Sequence, residues 1–282
     1  MRWKPGRSAG NTIDARGSRS AGGRVAIPGG LGLVGVVVYV AIQLLSGSSG
    51  FAVPTAFDDR AQAPDGGAIP AGEDPEKDLR DFSEYVFDST QRTWARTVGG
   101  DYRDAKLYLY RSAVSTGCGS ASSAVGPFYC PADERVYLDL SFYGDMQRQL
   151  GAPGDFAWAY VIAHEVGHHV QHLRGTDDEV RRLQREEPDQ ANPLSVRLEL
   201  QADCYAGVWA HTVFDQLDAG DVEEAITASE AVGDDRLQRR ATGEVRPDSF
   251  THGSSAQRAK WFRRGQSSGQ PADCDTFSVD EV

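Results

Sequence analysis

Two histidines four positions apart, with a glutamate directly after the first, are the residues of this chain best suited to chemistry: His164-Glu165-Val166-Gly167-His168. On a helix, positions i and i+4 share a face, so both imidazoles can reach one metal ion. Glu165 then projects beside the ion rather than onto it. There it can take a proton from metal-bound water, the general-base role in zinc hydrolysis. Zn2+ would also polarise a carbonyl and stabilise the oxyanion formed from it. Phe156, Trp158, Tyr160, Val161 and Ile162 precede the motif, so the helix is expected to be buried. Two histidines and a glutamate buried without partners would be costly. Gly167 sacrifices about 1 kcal/mol of helix propensity relative to alanine, which points to close approach by another backbone or by substrate.

A catalytic zinc needs a third protein ligand and an open position. His172 sits ~12 Å along the axis from His164, too far to share an ion, and His169 points about 100° away from His168. Both are expected to be partly exposed or, at most, to support the ligands from behind. The candidate third ligand is Glu199, in Arg197-Leu198-Glu199-Leu200-Gln201-Ala202-Asp203. Asp203 shares its helix face and can accept a hydrogen bond from the back of a ligand histidine, fixing the ring's tautomer and orientation. Leu198, Leu200, Ala202, Cys204 and Tyr205 argue against a fully solvated face.

These residues need particular elements to carry them. Gly154-Asp155 opens the motif helix, with Asp155 as N-cap and Gly175 as its stop. A polar amphipathic helix spans Thr176 to Pro188, and Pro193 stands near the start of the helix bearing Glu199, which extends towards Leu217. Further helices are predicted over Asp221–Arg240 and Ser254–Arg264. Upstream, Leu79, Phe82, Val86, Phe87 and Trp94 recur at helical spacing, while Lys106–Arg111 and Arg135–Phe142 read as strands. There is no internal repeat. The expected fold is α+β and mainly helical with a small sheet, in one catalytic domain over residues 75–282.

Residues 25–45 contain no charge and are long enough to cross a bilayer core of ~30 Å at ~1.5 Å per residue. Before them lie Arg2, Lys4, Arg7, Arg16, Arg19 and Arg24 against one acid, Asp14. The positive-inside rule makes residues 1–24 a basic cytoplasmic tail, 25–45 a single transmembrane anchor of the cytoplasmic membrane, and the catalytic domain extracytoplasmic. Residues 46–74, rich in Gly, Ser, Pro, Ala and Asp, read as a flexible linker. A formal charge of -12 argues against nucleic acid as a partner. Oligomeric state is left open.

Several blocks carry a family resemblance: Met1-Arg2-Trp3, Gly126-Pro127-Phe128-Tyr129-Cys130-Pro131, Val136-Tyr137-Leu138-Asp139, the stretch from Ala159 to Gln171, Glu199-Leu200-Gln201-Ala202-Asp203-Cys204, and Phe250-Thr251-His252-Gly253-Ser254. Together they resemble the neutral zinc metallopeptidases, a bacterial family of membrane-anchored zincins. The resemblance implies a gluzincin arrangement with His164, His168 and Glu199 on zinc, Glu165 as base, Asp203 behind a histidine, and a peptide or protein substrate. The final block is also similar to that of the prenyl-protein proteases, where a Thr-His-Pro segment and an arginine follow a Glu-x-x-x-Asp helix. Gly253 departs from that pattern. The likeness implies that His252 donates to the oxyanion and that Arg258 orients the loop. Tyr205 and Tyr137 are weaker alternative donors, and Val136–Leu140 is a candidate for binding peptide by strand addition.

Cys118, Cys130, Cys204 and Cys274 all follow the expected anchor, and an even number in an extracytoplasmic domain favours disulfides. Of three pairings, Cys118–Cys130 would close a Gly/Ser-rich loop and Cys204–Cys274 would tie the tail to the Glu199 helix. The competing reading of the whole chain is a non-catalytic zincin-like binding or scaffold protein of the cell envelope. Such a protein need not keep base, ligands and supporting acid together.

Overall fold

The computed structural model describes residues 1–4, 9–17, 69 and 72–282. The expected anchor, residues 25–45, and most of the expected linker lie outside the described residues. Among the described residues no helix is long and apolar enough to cross a membrane.

The fold is mixed α+β. Its sheet has the order β1 (Thr12–Asp14), β2 (Lys106–Tyr110), β6 (Arg135–Asp139) and β5 (Phe128–Cys130). The first three run parallel, and β5 is antiparallel to β6. A separate hairpin pairs β3 (Ala113–Thr116) with β4 (Gly119–Ser122). The Cys118–Cys130 disulfide joins the hairpin turn to β5, closing a loop whose cross-link contributes up to ~3 kcal/mol.

The helices are α1 (Lys77–Val98), α2 (Ser141–Asp145), α3 (Asp155–Leu173), α4 (Thr176–Glu186), α5 (Ala191–Thr212), α6 (Asp221–Ala231), α7 (Asp234–Thr242) and α8 (Ser255–Ser268). Helix α3 carries the motif and packs against α1, α5, α6 and the β5–β6 side of the sheet. Its apolar residues therefore bury all round: Phe156, Trp158, Ile162, Val166 and Val170 are each 0 % exposed. Such side chains contribute about 1.5–3 kcal/mol each. The buried indole N–H of Trp158 donates to Ser83 Oγ on α1 at 2.9 Å, so its burial leaves no donor unpaired. Gly175 ends α3 in the left-handed conformation at φ 73°. Asp155 is the first helical residue rather than the N-cap, which is Gly154. A Cβ at Gly154 would meet the Glu224 carboxylate, which accepts the Phe156 N–H at 3.0 Å.

Three further expectations change. The helix predicted over Asp221–Arg240 is broken at Gly233, which is extended at φ -68° and ψ 138° and packs so closely on Ser255 that a Cβ there would stand 2.4 Å from Ser255 N. The strand predicted to Phe142 stops at Asp139, whose side chain accepts the Ser141 N–H at 3.0 Å and starts α2. The third concerns residues 1–24, expected as a tail across a membrane from the domain. Residues 12–14 instead form β1 beside β2, and Met1 N lies 3.1 Å from Asp155. Arg16, counted as a topology signal, is buried among Asp14, Asp74 and Glu76 at 2.7, 2.7 and 3.1 Å. A segment hydrogen-bonded into the sheet lies on the domain's own side of any membrane.

Candidate metal centre

Helices α3 and α5 cross where neither can carry a large residue. A Cβ on Gly167 would stand 3.1 Å from Ala202 O and 3.2 Å from Ala202 Cα. The propensity lost at Gly167 is thus explained by a neighbouring backbone. The approach brings His164 and His168 on α3 to Glu199 and Asp203 on α5.

Three side chains converge. His164 Nε2 and His168 Nε2 are 3.2 Å apart. Glu199 places Oε2 3.3 Å from His164 Nε2 and Oε1 3.5 Å from His168 Nε2. Ligands at about 2.0–2.1 Å around a tetrahedral zinc would be about 3.3–3.4 Å from one another, so these separations fit that ion. Glu199 Oε2 is buried without a hydrogen-bond partner, as suits an oxygen meant for a cation. Burial alone would raise the Glu199 carboxyl, but His168 and His164 hold it well below the ordinary range.

Asp203, 0 % exposed, accepts from His164 Nδ1 at 2.9 Å. That bond leaves Nε2 as the nitrogen available to a metal and raises its basicity. Burial opposes the charge on His164, yet Asp203 and Glu199 bring its pKa up to about 9. Arg258 does not orient the Thr251–Gly253 loop as expected. Its guanidinium is buried against Asp203, with Nε 2.8 Å from Oδ2 and Nη2 2.9 Å from Oδ1. Tyr160 also donates to Asp203 Oδ1.

Glu165 is 4 % exposed and adjoins His164 on α3, close enough to both histidines for their charge to act on it. Burial raises its carboxyl, partly offset by His164, His168 and the nearby backbone N–H of Tyr129. An elevated carboxylate pKa suits a general base working near neutral pH.

The Thr251–Gly253 loop lies against α5: a Cβ on Gly253 would touch Val196 and Leu200 at 3.2 and 3.3 Å. His252 is 2 % exposed, and its Nε2 is buried without a partner. Its Nδ1 lies 3.1 Å from Asp234 Oδ1. Asp234 Oδ2 accepts the N–H groups of Thr251, His252 and Gly253 at 2.7, 2.7 and 3.1 Å. Asp234 is not legible as a site residue in the sequence, since it falls within a continuous helical pattern. The one available signal is Gly233, a helix breaker directly before an acid suited to a helix start.

The remaining candidates lie elsewhere. His169 is buried between Tyr129 Oη at 2.9 Å and Arg103 O at 2.6 Å, and His172 pairs with Asp177 at 3.1 Å. Tyr205 packs edge-on against Trp94, and Tyr137 stacks on Phe128. Strand β6, which includes most of Val136–Leu140, pairs with β2 over Arg135–Asp139 but with β5 only over Arg135–Tyr137. The sheet edge that packs against α3 is β5. Cys204–Cys274 is bonded, with Cα atoms 5.5 Å apart. A second acidic group, Asp155, Asp221 and Glu224, also gathers, but the Met1 amino group lies 3.1 and 3.2 Å from the two aspartates.

The chain is 46% identical to the uncharacterized protein YpfJ of Escherichia coli (strain K12), over 98% of this chain and 99% of that protein. It is 44% identical to the uncharacterized protein Rv2575 of Mycobacterium tuberculosis (strain ATCC 25618 / H37Rv), over 69% of each. No solved structure matches it. The family described as "Putative neutral zinc metallopeptidase" matches residues 1–277, and the chain belongs to that family.

Proposed function

We propose that the protein is a zinc-dependent peptidase in which His164, His168 and Glu199 hold the metal and Glu165 is the general base. The observation that carries this reading is the triangle of Nε2, Nε2 and carboxylate oxygens with edges of 3.2–3.5 Å, next to a buried glutamate. Zinc bound there would supply Lewis-acid polarisation of a peptide carbonyl and of the attacking water. Glu165 takes the proton from that water and later delivers it to the leaving amine. His252 donates from Nε2 to the carbonyl oxygen as negative charge develops there. The substrate backbone adds to the free edge of β5 beside Glu165.

We further propose that the domain works in an oxidising compartment outside the cytoplasm. Cys118–Cys130 and Cys204–Cys274 support this reading. The uncharged residues 25–45 are proposed to attach the protein to the cytoplasmic membrane without crossing it, since β1 before them and the domain after them lie on one side.

The test is elemental analysis of the purified full chain together with a peptide-library cleavage profile. One zinc per chain, cleavage by wild type, and a Glu165→Gln variant that binds zinc without cleaving are expected. No stoichiometric metal, or cleavage by Glu165→Gln equal to wild type, would overturn the assignment. Zinc binding without cleavage by either protein would favour a scaffold.

A further inference from the structure

His164 and His168 are oriented from behind by different chemistry. Asp203 serves His164, whereas His168 Nδ1 meets Gln171 Oε1 at 2.8 Å. Gln171 is 0 % exposed, and its Nε2 donates to Leu198 O at 2.7 Å and to Gln201 Oε1 at 3.1 Å. Gln201, 6 % exposed, donates in turn from Nε2 to Cys274 O at 3.1 Å. Cys274 is bonded to Cys204, one turn beyond Gln201 on α5.

We propose that Gln171 and Gln201 are positioning residues that hold His168 as its Nδ1–H tautomer through a one-directional hydrogen-bond chain ending on the Cys274 carbonyl. The direction follows from what each group can do. A backbone carbonyl only accepts, so Gln201 must turn its NH2 towards Cys274 and its oxygen towards Gln171. Gln171 must then present NH2 to Gln201. Leu198 O, a second pure acceptor, requires the same orientation independently. The Gln171 oxygen is left facing His168, and an oxygen without a proton can only accept. The ring proton is therefore on Nδ1, and the Nε2 lone pair faces His164 and Glu199.

The arrangement has an electrostatic rationale. Glu165, Glu199 and Asp203 already place three buried carboxylates at the site. A fourth behind His168 would add negative charge where burial makes charge costly. Two carboxamides provide the same orientation with no net charge. The Cys204–Cys274 bond fixes the terminal carbonyl relative to α5, so the chain has a covalent anchor.

This proposal rests on His168 being a metal ligand, and the experiment separates the two. Zinc affinity of the full chain is measured by competition with a chelator, and the ring nitrogens of the metal-free protein are read by 15N-resolved NMR. Gln171→Met and Gln201→Met, near-isosteric and without amide groups, are each expected to weaken zinc binding 10- to 100-fold. Because the two act in series, the double variant should be little weaker than Gln171→Met alone, whereas independent packing effects would add. Gln171→Glu keeps an acceptor for Nδ1–H and should bind zinc more tightly than Gln171→Met. Wild-type His168 should show Nδ1–H, and Gln171→Met a mixture of tautomers. Wild-type affinity in both methionine variants, or an Nε2–H ring in the wild type, would overturn the proposal while leaving the metal centre intact. A wild type that binds no zinc would overturn the metal centre, and the spectrum would still decide the tautomer.

Discussion

Asp203 joins His164 to Arg258: it accepts from His164 Nδ1 at 2.9 Å and, beside the Tyr160 hydroxyl, from Arg258 Nε and Nη2 at 2.8 and 2.9 Å. The carboxylate is thereby neutralised on one side and remains an acceptor on the other. Neither Asp203 nor Arg258 has access to bulk water, at 0 % and 1 % exposure. Arg258 is thus what makes a buried anion behind a proposed metal ligand tolerable.

Arg258→Met leaves Asp203 charged and buried with one fewer partner. Removing one member of such a pair costs about 3–5 kcal/mol, and urea unfolding should show a loss of that size. Asp203→Asn, in contrast, retains the shape but presents a weaker acceptor to His164. Its expected effect falls on metal, a 10- to 100-fold loss of zinc affinity by chelator competition.

Gly167→Ala opposes two effects of known size. Alanine gains about 1 kcal/mol of helix propensity. Its Cβ would stand 3.1 Å from Ala202 O, forcing α3 and α5 apart, and overpacking of this kind costs about 1–3 kcal/mol. The expected net result is a Tm a few degrees lower, and a zinc affinity reduced because the histidines and Glu199 sit on separate helices. A Tm above wild type would mean that the crossing is slack.

The two ligand helices are legible in the sequence because i, i+4 spacing is a local property that folding cannot rearrange. His164, His168, Glu199 and Asp203 follow from it directly. What is not legible is set by contacts between distant segments. Strand β1 has three residues, too few for an alternating pattern, and pairs with a strand more than ninety positions away. Arg16 resembles every other basic residue of the amino-terminal segment until its three carboxylate partners are seen. Asp234 is hidden because its partners, the Thr251–Gly253 backbone and His252, lie 17 to 19 positions away in the chain.

Thiol accessibility tests the compartment. Protein taken from its native setting and alkylated without reduction should carry no label on Cys118, Cys130, Cys204 or Cys274, since all four are paired. Mass spectrometry after alkylation gives the count. Four labelled thiols would place the domain in a reducing compartment and remove the support for an extracytoplasmic location.

The Asp234–His252 pair gives a prediction with a defined pH sign. Burial opposes ionisation of Asp234, but the His252 ring and the backbone N–H groups of the loop hold its carboxyl below the ordinary value. A group whose folded pKa is depressed stabilises the fold fully above its unfolded pKa, near 3.9, and loses that contribution as pH falls through the folded value. The stability difference between wild type and Asp234→Asn should therefore be largest at neutral pH and shrink below about pH 4, as read by urea midpoints across that range. His252→Ala removes the proposed donor to the developing oxyanion together with one partner of the buried Asp234 carboxylate, so its kinetics are read under conditions where circular dichroism shows the variant folded. Loss of one such donor costs about 10²- to 10³-fold in kcat, and the loss should fall on kcat rather than KM. A change in KM alone would assign His252 to substrate binding instead.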